Sequence, residues 1–253
     1  MMLRRISASI YHALIMARHP EAIGLRLRGI DYEQYCHLRQ PWLLAMNIRT
    51  IIDVGANVGQ FALLAREVFP LAQILSFEPL PECFAALETC LPASNFQAFN
   101  LALGDKDAEL DFHRAHHSPS SSFLRMNDFH KEAFPESRDG QESKSVKVKV
   151  RRLDDIVNGL ELKERILLKL DVQGYEDKVI AGGAELLKRV SVVISETSFR
   201  PLYDGQTLFK DVHGALLEAG FVFQGNLNQM FSPADGRIVS ADSIFVRPTA
   251  NAK

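Results

Sequence analysis

Thr50-Ile-Ile-Asp-Val-Gly-Ala-Asn-Val-Gly59 is the stretch whose reading settles the fold. Its first five residues, apolar and largely β-branched apart from Asp53, read as a buried strand that ends in Gly55. The following segment, Gln60 to Phe69, is helical. The same strand–turn–helix order recurs outward along the chain. Gln73 to Phe77 ends at Glu78-Pro79, with a helix predicted from about Glu82 to Leu91. Phe96 to Leu103 reads as one run closing at Gly104-Asp105. Arg165 to Leu170 ends at Asp171 before a helix over Tyr175 to Lys188. Val190 to Ile194 ends at Ser195-Glu196. A helix over Leu208 to Ala219, capped by Gly220, leads into a strand at Phe221 to Gln224. Strands alternating with helices require right-handed crossovers, which gives an α/β fold with a mostly parallel sheet and helices on both faces. Ligands bind such sheets outside the carboxyl ends of the strands. Asp53, Glu78, Asp105, Asp171 and Glu196 all fall at those ends, and together they mark a candidate site.

Composition limits what the site can serve. The chain has 253 residues, with Lys+Arg 29 against Asp+Glu 31 and a net charge of −2. No basic surplus is present to neutralise phosphates, so a nucleic-acid partner is not expected. Cys36, Cys83 and Cys90 form no C-x-x-C pair, which disfavours a zinc site or a disulfide framework and suits a reducing, cytoplasmic setting. No apolar run is long enough to span a bilayer. Ile6, Ile10, Ala13, Leu14 and Ala17 fall at helical spacing, and this helix is expected to pack on the main domain, with a membrane surface as the lesser alternative. Residues 1–46 read as a helical extension in two pieces with a bend near Pro20 to Gly29, and residues 47–253 as one domain.

The strand–helix rhythm breaks between Leu110 and Asp155. Ala108 to His113 reads as an extra strand. Val146, Val148 and Val150 alternate with Lys147, Lys149 and Arg151, as in a half-buried strand with a solvated basic face. An insertion of this length is usually functional or disordered.

The turn after the first strand carries the chemistry. Glycine at 55 permits a tight turn and close approach of backbone to ligand, and glycine at 59 permits close packing of the helix on the sheet. The spacing is not G-x-G-x-x-G, and the Lys-Ser/Thr of a phosphate loop is absent, so nucleoside triphosphate binding is unsupported. Asp53, just before the turn, is read as a carboxylate facing a cationic ligand. Glu78 lies 25 residues beyond Asp53 at the end of the second strand, where a carboxylate accepts hydrogen bonds from a ribose diol. In that order and spacing the two favour a cofactor containing adenosine.

These residues resemble the FkbM-type methyltransferases, within the class I S-adenosylmethionine-dependent group. The resemblance covers about Arg49 to Arg247. It rests on Ile52-Asp-Val-Gly-Ala-Asn-Val-Gly-Gln60, Ser76-Phe-Glu-Pro79, Asn100-Leu-Ala-Leu-Gly-Asp105, Ser120-Ser-Ser122, Arg152-Leu-Asp-Asp155, Leu167-Leu-Lys-Leu-Asp-Val-Gln-Gly-Tyr-Glu176 and Ala181-Gly-Gly-Ala184. The resemblance implies a Rossmann-like sheet of seven strands that holds S-adenosyl-L-methionine and methylates an oxygen of a sugar, glycan or other hydroxylated metabolite. It places Asp53, Gly55, Ala56, Asn57 and Gly59 along the methionyl part of the cofactor and Glu78, with Pro79, at the ribose. Ala102 and Leu103 then border the adenine, Ser122 lies in a lid that closes over the cofactor, and Asp171 stands beside the sulfonium and the acceptor. Gln173 occupies a position where many members carry Glu.

Methyl transfer to a hydroxyl needs alignment of the acceptor and removal of its proton. Asp171 is the first choice of base, with His116 and His117 of the insertion next, and Glu196, His113 and His130 as further candidates. No ligand spacing for a metal is present around the paired histidines. Two other readings remain at this stage. A binding module would keep the cofactor fold and recruit partners through residues 1–46, so deleting that segment would cost it its partners while an enzyme kept its transfer. A nicotinamide-dependent oxidoreductase is disfavoured by the missing G-x-G-x-x-G, and an RNA methyltransferase by the neutral charge and the lack of an Asn-Pro-Pro-Tyr-like motif.

Overall fold

The computed structural model describes residues 18–114, 120–134 and 145–248. Strand β1 (Thr50–Val54) is buried along its whole length because it lies between two parallel neighbours, β2 (Gln73–Phe77) and β7 (Ile166–Leu170). Alternate residues of these strands point to opposite faces. Ile51, Ile74 and Leu167 face one core, and Ile52, Leu75 and Leu168 face the other. Burial on both faces explains why the strands read as continuous apolar runs rather than as alternating ones.

With β3 (Phe96–Phe99), β8 (Val190–Ser198), β9 (Val222–Phe231) and β10 (Ile238–Val246), the main sheet has seven strands in the order β3-β2-β1-β7-β8-β10-β9. Only β10 runs against its neighbours. The order reverses at β1, and the gap between β1 and β7 at their carboxyl ends is where such a sheet opens to a ligand.

Helix α4 (Gln60–Val68) packs Ala62 and Ala65 on one face of the sheet, and α5 (Pro81–Leu87) follows β2. The other face is covered by α8 (Glu176–Gly182), α9 (Ala184–Leu187) and α10 (Phe209–Glu218) through Val179, Leu186, Val212 and Leu216. The single helix expected over Tyr175 to Lys188 is therefore two. They break at Gly183, and the Asp154 carboxylate accepts from the Glu185 and Leu186 amides (3.1 and 2.8 Å), starting the second helix from outside.

The run Phe96 to Leu103 also divides. Asn100 donates to the carbonyls of Glu78 and Pro79 (2.9 and 3.1 Å), which leads the chain off the main sheet. Strand β4 (Ala102–Gly104) then pairs with β6 (Ser145–Arg152), and β5 (Ala108–His113) pairs with β6 on its other side, giving a small second sheet. Val148 and Val150 of β6 are buried against Phe112 and Leu80, as the alternation predicts. Short helices α6 (Asp128–Ala133) and α7 (Leu153–Val157) complete this region.

Ahead of β1, α1 (Glu21–Leu27), α2 (Tyr32–Leu38) and α3 (Pro41–Ala45) place Leu25, Leu38 and Leu43 in the same core as Ile51 and Leu167. The bend expected near Pro20 to Gly29 falls at Gly29-Ile30, since Glu21–Leu27 is itself helical, and Asp31 caps α2 through the Gln34 amide (2.9 Å). Residues Ile6 to Ala17, His116 and His117 lie outside the described residues. No helix among the described residues is long and apolar enough to cross a membrane.

Candidate active site

Gly55 turns the chain out of β1 with φ +81°, and a Cβ built there would sit 1.9 Å from the carbonyl oxygen of Asp171. The loops after β1 and β7 thus touch backbone to backbone, and only glycine permits it. Gly59 has φ +95° just before α4. A Cβ there would meet the Cys90 sulfur at 2.6 Å, so this glycine admits the segment after α5 rather than the sheet itself, as the sequence had suggested.

The two loops open onto a cavity of about 400 Å³. Gly55, Ala56, Asn57, Glu78, Pro79, Ala102, Leu103 and Asp171 of the expected residues all line it. One end is apolar: Leu80 and Leu103 face Phe112 and Phe123, whose rings meet edge to face at 4.9 Å. Phe123 follows the serine run, so the insertion contributes ring surface to the site. Glu78 is almost fully buried at this end. Its two oxygens accept from the Asn57 and Leu80 amides (2.9 and 2.8 Å), and burial pushes its carboxyl up to about 7.

The other end is acidic. The Lys169 side chain is 11% exposed, with its Nζ 3.1 Å from Asp171 and 3.6 Å from Asp53. Burial works against its charge, but the two carboxylates hold its pKa above the ordinary lysine value. Burial likewise opposes ionisation of Asp171, yet Lys169 and the Gln173 amide, 2.8 Å away, keep its pKa low. The Gln173 side chain bridges two acids, donating to Glu196 at 2.5 Å as well. Burial and the neighbouring Asp171 push Glu196 well above the ordinary range, so of the two acids Glu196 holds its proton the more tightly. The Gln173 carbonyl oxygen lies 2.9 Å from the buried Tyr203 hydroxyl, which donates there or to the Ser120 carbonyl at 3.1 Å.

Three of the expected residues lie behind the wall rather than on it. Asp53 is wholly buried, accepts from the Ser76 hydroxyl (3.3 Å) and faces Lys169, so it does not face a ligand as expected. Gly59 acts through packing. Ser122 is 1% exposed and is latched down rather than set in a free lid. Its hydroxyl donates to the Gln173 carbonyl (2.8 Å), and its backbone bridges His113. Asp105 follows β4 in the small sheet, 3.9 Å from Lys178, away from the cavity. His113 and His130 also lie off the wall; His130 is buried with its ring 5.2 Å from that of Tyr203. Of the base candidates among the described residues, Asp171 and Glu196 line the cavity.

Sequence reading missed a further part of the wall. Gln34 and His37 of α2, Asn228 of β9 and Asp242 of β10 stand there, and Lys169 anchors the acids. The one signal for Lys169 was its position two residues before a strand-end acid. Nothing in sequence order ties His37 to Asp242.

Residues 53–223 match the Methyltransferase FkbM domain, which is more than half of the chain. The chain belongs to the FkbM methyltransferase family. Among its relatives is the 2-O-methyltransferase NoeI of Sinorhizobium fredii, 33% identical over 62% of this chain and 66% of its own length. Methyltransferase 1 of Beauveria bassiana is 32% identical over 52% of this chain and 57% of its own. The chain thus spans somewhat under two thirds of the length of these two. A solved structure titled as methyltransferase FkbM from Methylobacillus flagellatus superposes with a TM-score of 0.49 at 13% identity, covering 79% of this chain and 44% of that one. The family match begins inside β1 and ends early in β9, so α2 and β10 lie outside it.

Proposed function

We propose that the protein transfers a methyl group from S-adenosylmethionine to a hydroxyl oxygen of a small-molecule or glycan acceptor. The observation that carries this reading is the pairing, in one cavity, of a buried carboxylate at Glu78 with an acidic end at Asp171 and Glu196. A nucleoside with a sulfonium side chain suits both. The Gly55 turn, which no side chain obstructs, supplies the close backbone approach such a ligand needs. Family membership supports methyl transfer, and the printed name of NoeI supports oxygen as the target.

In this reading Ala56 and Asn57 lie along the methionyl part. Glu78 accepts from the ribose hydroxyls on its remaining lone pairs, and Leu103, Phe112 and Phe123 enclose the base. Bound S-adenosylmethionine supplies an activated methyl group, whose C–S bond breaks, leaving its electron pair on sulfur, as the acceptor oxygen forms the new C–O bond. Asp171, kept ionised by Lys169 and Gln173, holds negative potential beside the sulfur position. Tyr203 and Ser122 fix Gln173 by bonds to its side chain and its backbone. Residues 1–46 and 47–253 are then not separable units, because α2 forms part of the wall.

Calorimetric titration of S-adenosylhomocysteine into wild type and Glu78→Ala tests the reading. Micromolar binding by wild type, at least ten-fold weaker in the folded variant, is the expected result. Absence of binding by folded wild type at millimolar ligand removes the methyltransferase reading.

A further inference from the structure

The cofactor reading accounts for the wall built by the family segment and leaves another part of the wall without a task. That wall comes from elements the family match does not reach: α2 with Gln34 and His37, and β10 with Asp242, beside Asn228 of β9. Asp242 is held in register directly opposite Glu196 on β8, so its side chain stands on the same cavity rim. No hydrogen bond from a described residue reaches the Asp242 carboxylate. The Nδ1 of His37 is buried and equally without a partner. Asp242 thus lines the cavity with a carboxylate that no described side chain occupies, and His37 lines the same cavity from α2.

The alternatives on the wall are each occupied. Asp171 is held ionised by a lysine and an amide, which makes it a weak base. Glu196 already accepts from the Gln173 amide and the Ser240 hydroxyl, and Glu78 accepts two backbone amides. We propose that Asp242 is the catalytic base that takes the acceptor's hydroxyl proton, that His37 of α2 acts on it through charge across the cavity, and that the acceptor is a neutral polyhydroxylated molecule. The proposal rests on the methyltransferase reading and assigns its acceptor side.

The proton passes from the acceptor hydroxyl to an Asp242 carboxylate oxygen and then to water, while the bond changes at carbon and sulfur are those stated above. Neutrality of the acceptor follows from the wall itself. Among the described residues Lys169 and His37 are its only basic side chains, against Glu78, Asp171, Glu196 and Asp242, so a phosphate or carboxylate on the acceptor would meet like charge. Hydroxyl groups suit the amides of Gln34 and Asn228.

The groups facing Asp242 are Glu196 from β8, Asp171 and Lys169 from β7 and His37 from α2; β9 offers only the uncharged Asn228. Burial and Asp171 raise its carboxyl to about 6, with Lys169 and His37 opposing. Transfer should therefore rise with pH through about 6, and losing the histidine should move that limb upward.

The test uses the full chain with methyl-tritiated S-adenosylmethionine and two probe sets, methyl glycosides of neutral hexoses and their 6-phosphates. Asp242→Asn is expected to lower transfer to a neutral glycoside at least about 100-fold while S-adenosylhomocysteine affinity stays within about three-fold. Titration of the Asp242 carboxyl by carbon NMR in cofactor-free protein gives a readout independent of turnover, with a midpoint near 6 that rises in His37→Gln. Transfer by Asp242→Asn within ten-fold of wild type overturns the assignment. So does loss of nucleoside affinity in that variant with its thermal melt intact, since Asp242 then belongs to the cofactor wall. Transfer only to phosphorylated probes, or to none by wild type that binds S-adenosylhomocysteine, overturns the acceptor class. An unmoved midpoint in His37→Gln removes the histidine's part. Failure of wild type to bind S-adenosylhomocysteine at all is the separate failure of the underlying reading.

Discussion

Glu78 divides its two carboxylate oxygens between structure and binding. Each already accepts one backbone amide, from Asn57 and from Leu80, so the loops after β1 and β2 are tied together through this side chain. In the proposed function the spare lone pairs are those offered to a ribose. Only the ionised form accepts freely, and burial raises the carboxyl to about 7. Nucleoside affinity in the free protein should therefore weaken as pH falls below about 7, approaching ten-fold per unit, and calorimetry between pH 5.5 and 8.5 checks it. Glu78→Gln should flatten that dependence. Gly55 makes a second residue-scale prediction. Alanine there would suffer both the positive φ and a contact of 1.9 Å with the Asp171 carbonyl. A loss of about 3 kcal/mol or more is expected, seen as a melting temperature lower by roughly 10 °C. Both residues were legible in the sequence, because a glycine after a buried strand and an acid after the next one stand in fixed chain order. His37 and Asp242 were not, because some 200 residues separate two side chains that come to line one cavity only once the sheet is ordered.

Elements were read well where burial was two-sided and poorly where it was not. Strands β1, β2 and β7 appear as unbroken apolar runs, since helices cover both faces. Strand β10 went unread. Its run is interrupted by Ser240, Asp242 and Ser243, which are polar because they face Glu196, the cavity and Thr197. The polar residues that hid the strand are those that build the site. At the start of α8, Glu176 accepts from the Val172 and Gly174 amides (3.1 and 3.2 Å) and fixes the turn that carries Gln173. It is 2% exposed, and burial raises its carboxyl to about 7. A carboxyl raised on folding contributes stability that is full below its unfolded value of 4.5 and is lost as pH climbs through about 7. Glu176→Gln should remove a pH-dependent loss on the order of 3 kcal/mol across that window, measured as the difference in urea unfolding between pH 4.5 and 7.5. Helix α3 offers a simpler check. Leu43 is fully buried in the core shared with the sheet, so Leu43→Ala should cost about 2–5 kcal/mol, far more than an appended helix would show. For the same reason deletion of residues 1–46 should take folding and transfer away together, contrary to the expectation that an enzyme would tolerate it.

At the scale of the whole molecule, a chain with a net charge of −2 concentrates its acids at one end of one cavity. Lys169 offsets part of that charge, but Asp53 and Asp171 already hold its ammonium. Even with Glu196 protonated, the ionised Asp171 and Asp242 leave the site negative where the sheet order reverses. Such a field costs stability through burial and repulsion, and it returns that cost only to a cationic ligand. S-adenosylhomocysteine has a neutral sulfur, whereas sinefungin carries an ammonium at the corresponding position and otherwise shares the nucleoside and amino-acid ends. Sinefungin should bind at least about ten-fold more tightly, a difference of about 1.4 kcal/mol that one partly desolvated charge contact readily supplies. Asp171→Asn should shrink that ratio towards one while leaving S-adenosylhomocysteine affinity nearly unchanged, because it removes charge and little shape. Competitive calorimetry of the two ligands in both proteins measures the ratio. A ratio that is the same in wild type and Asp171→Asn would mean that the acids serve the fold alone, with selectivity for the sulfonium arising elsewhere in the cavity.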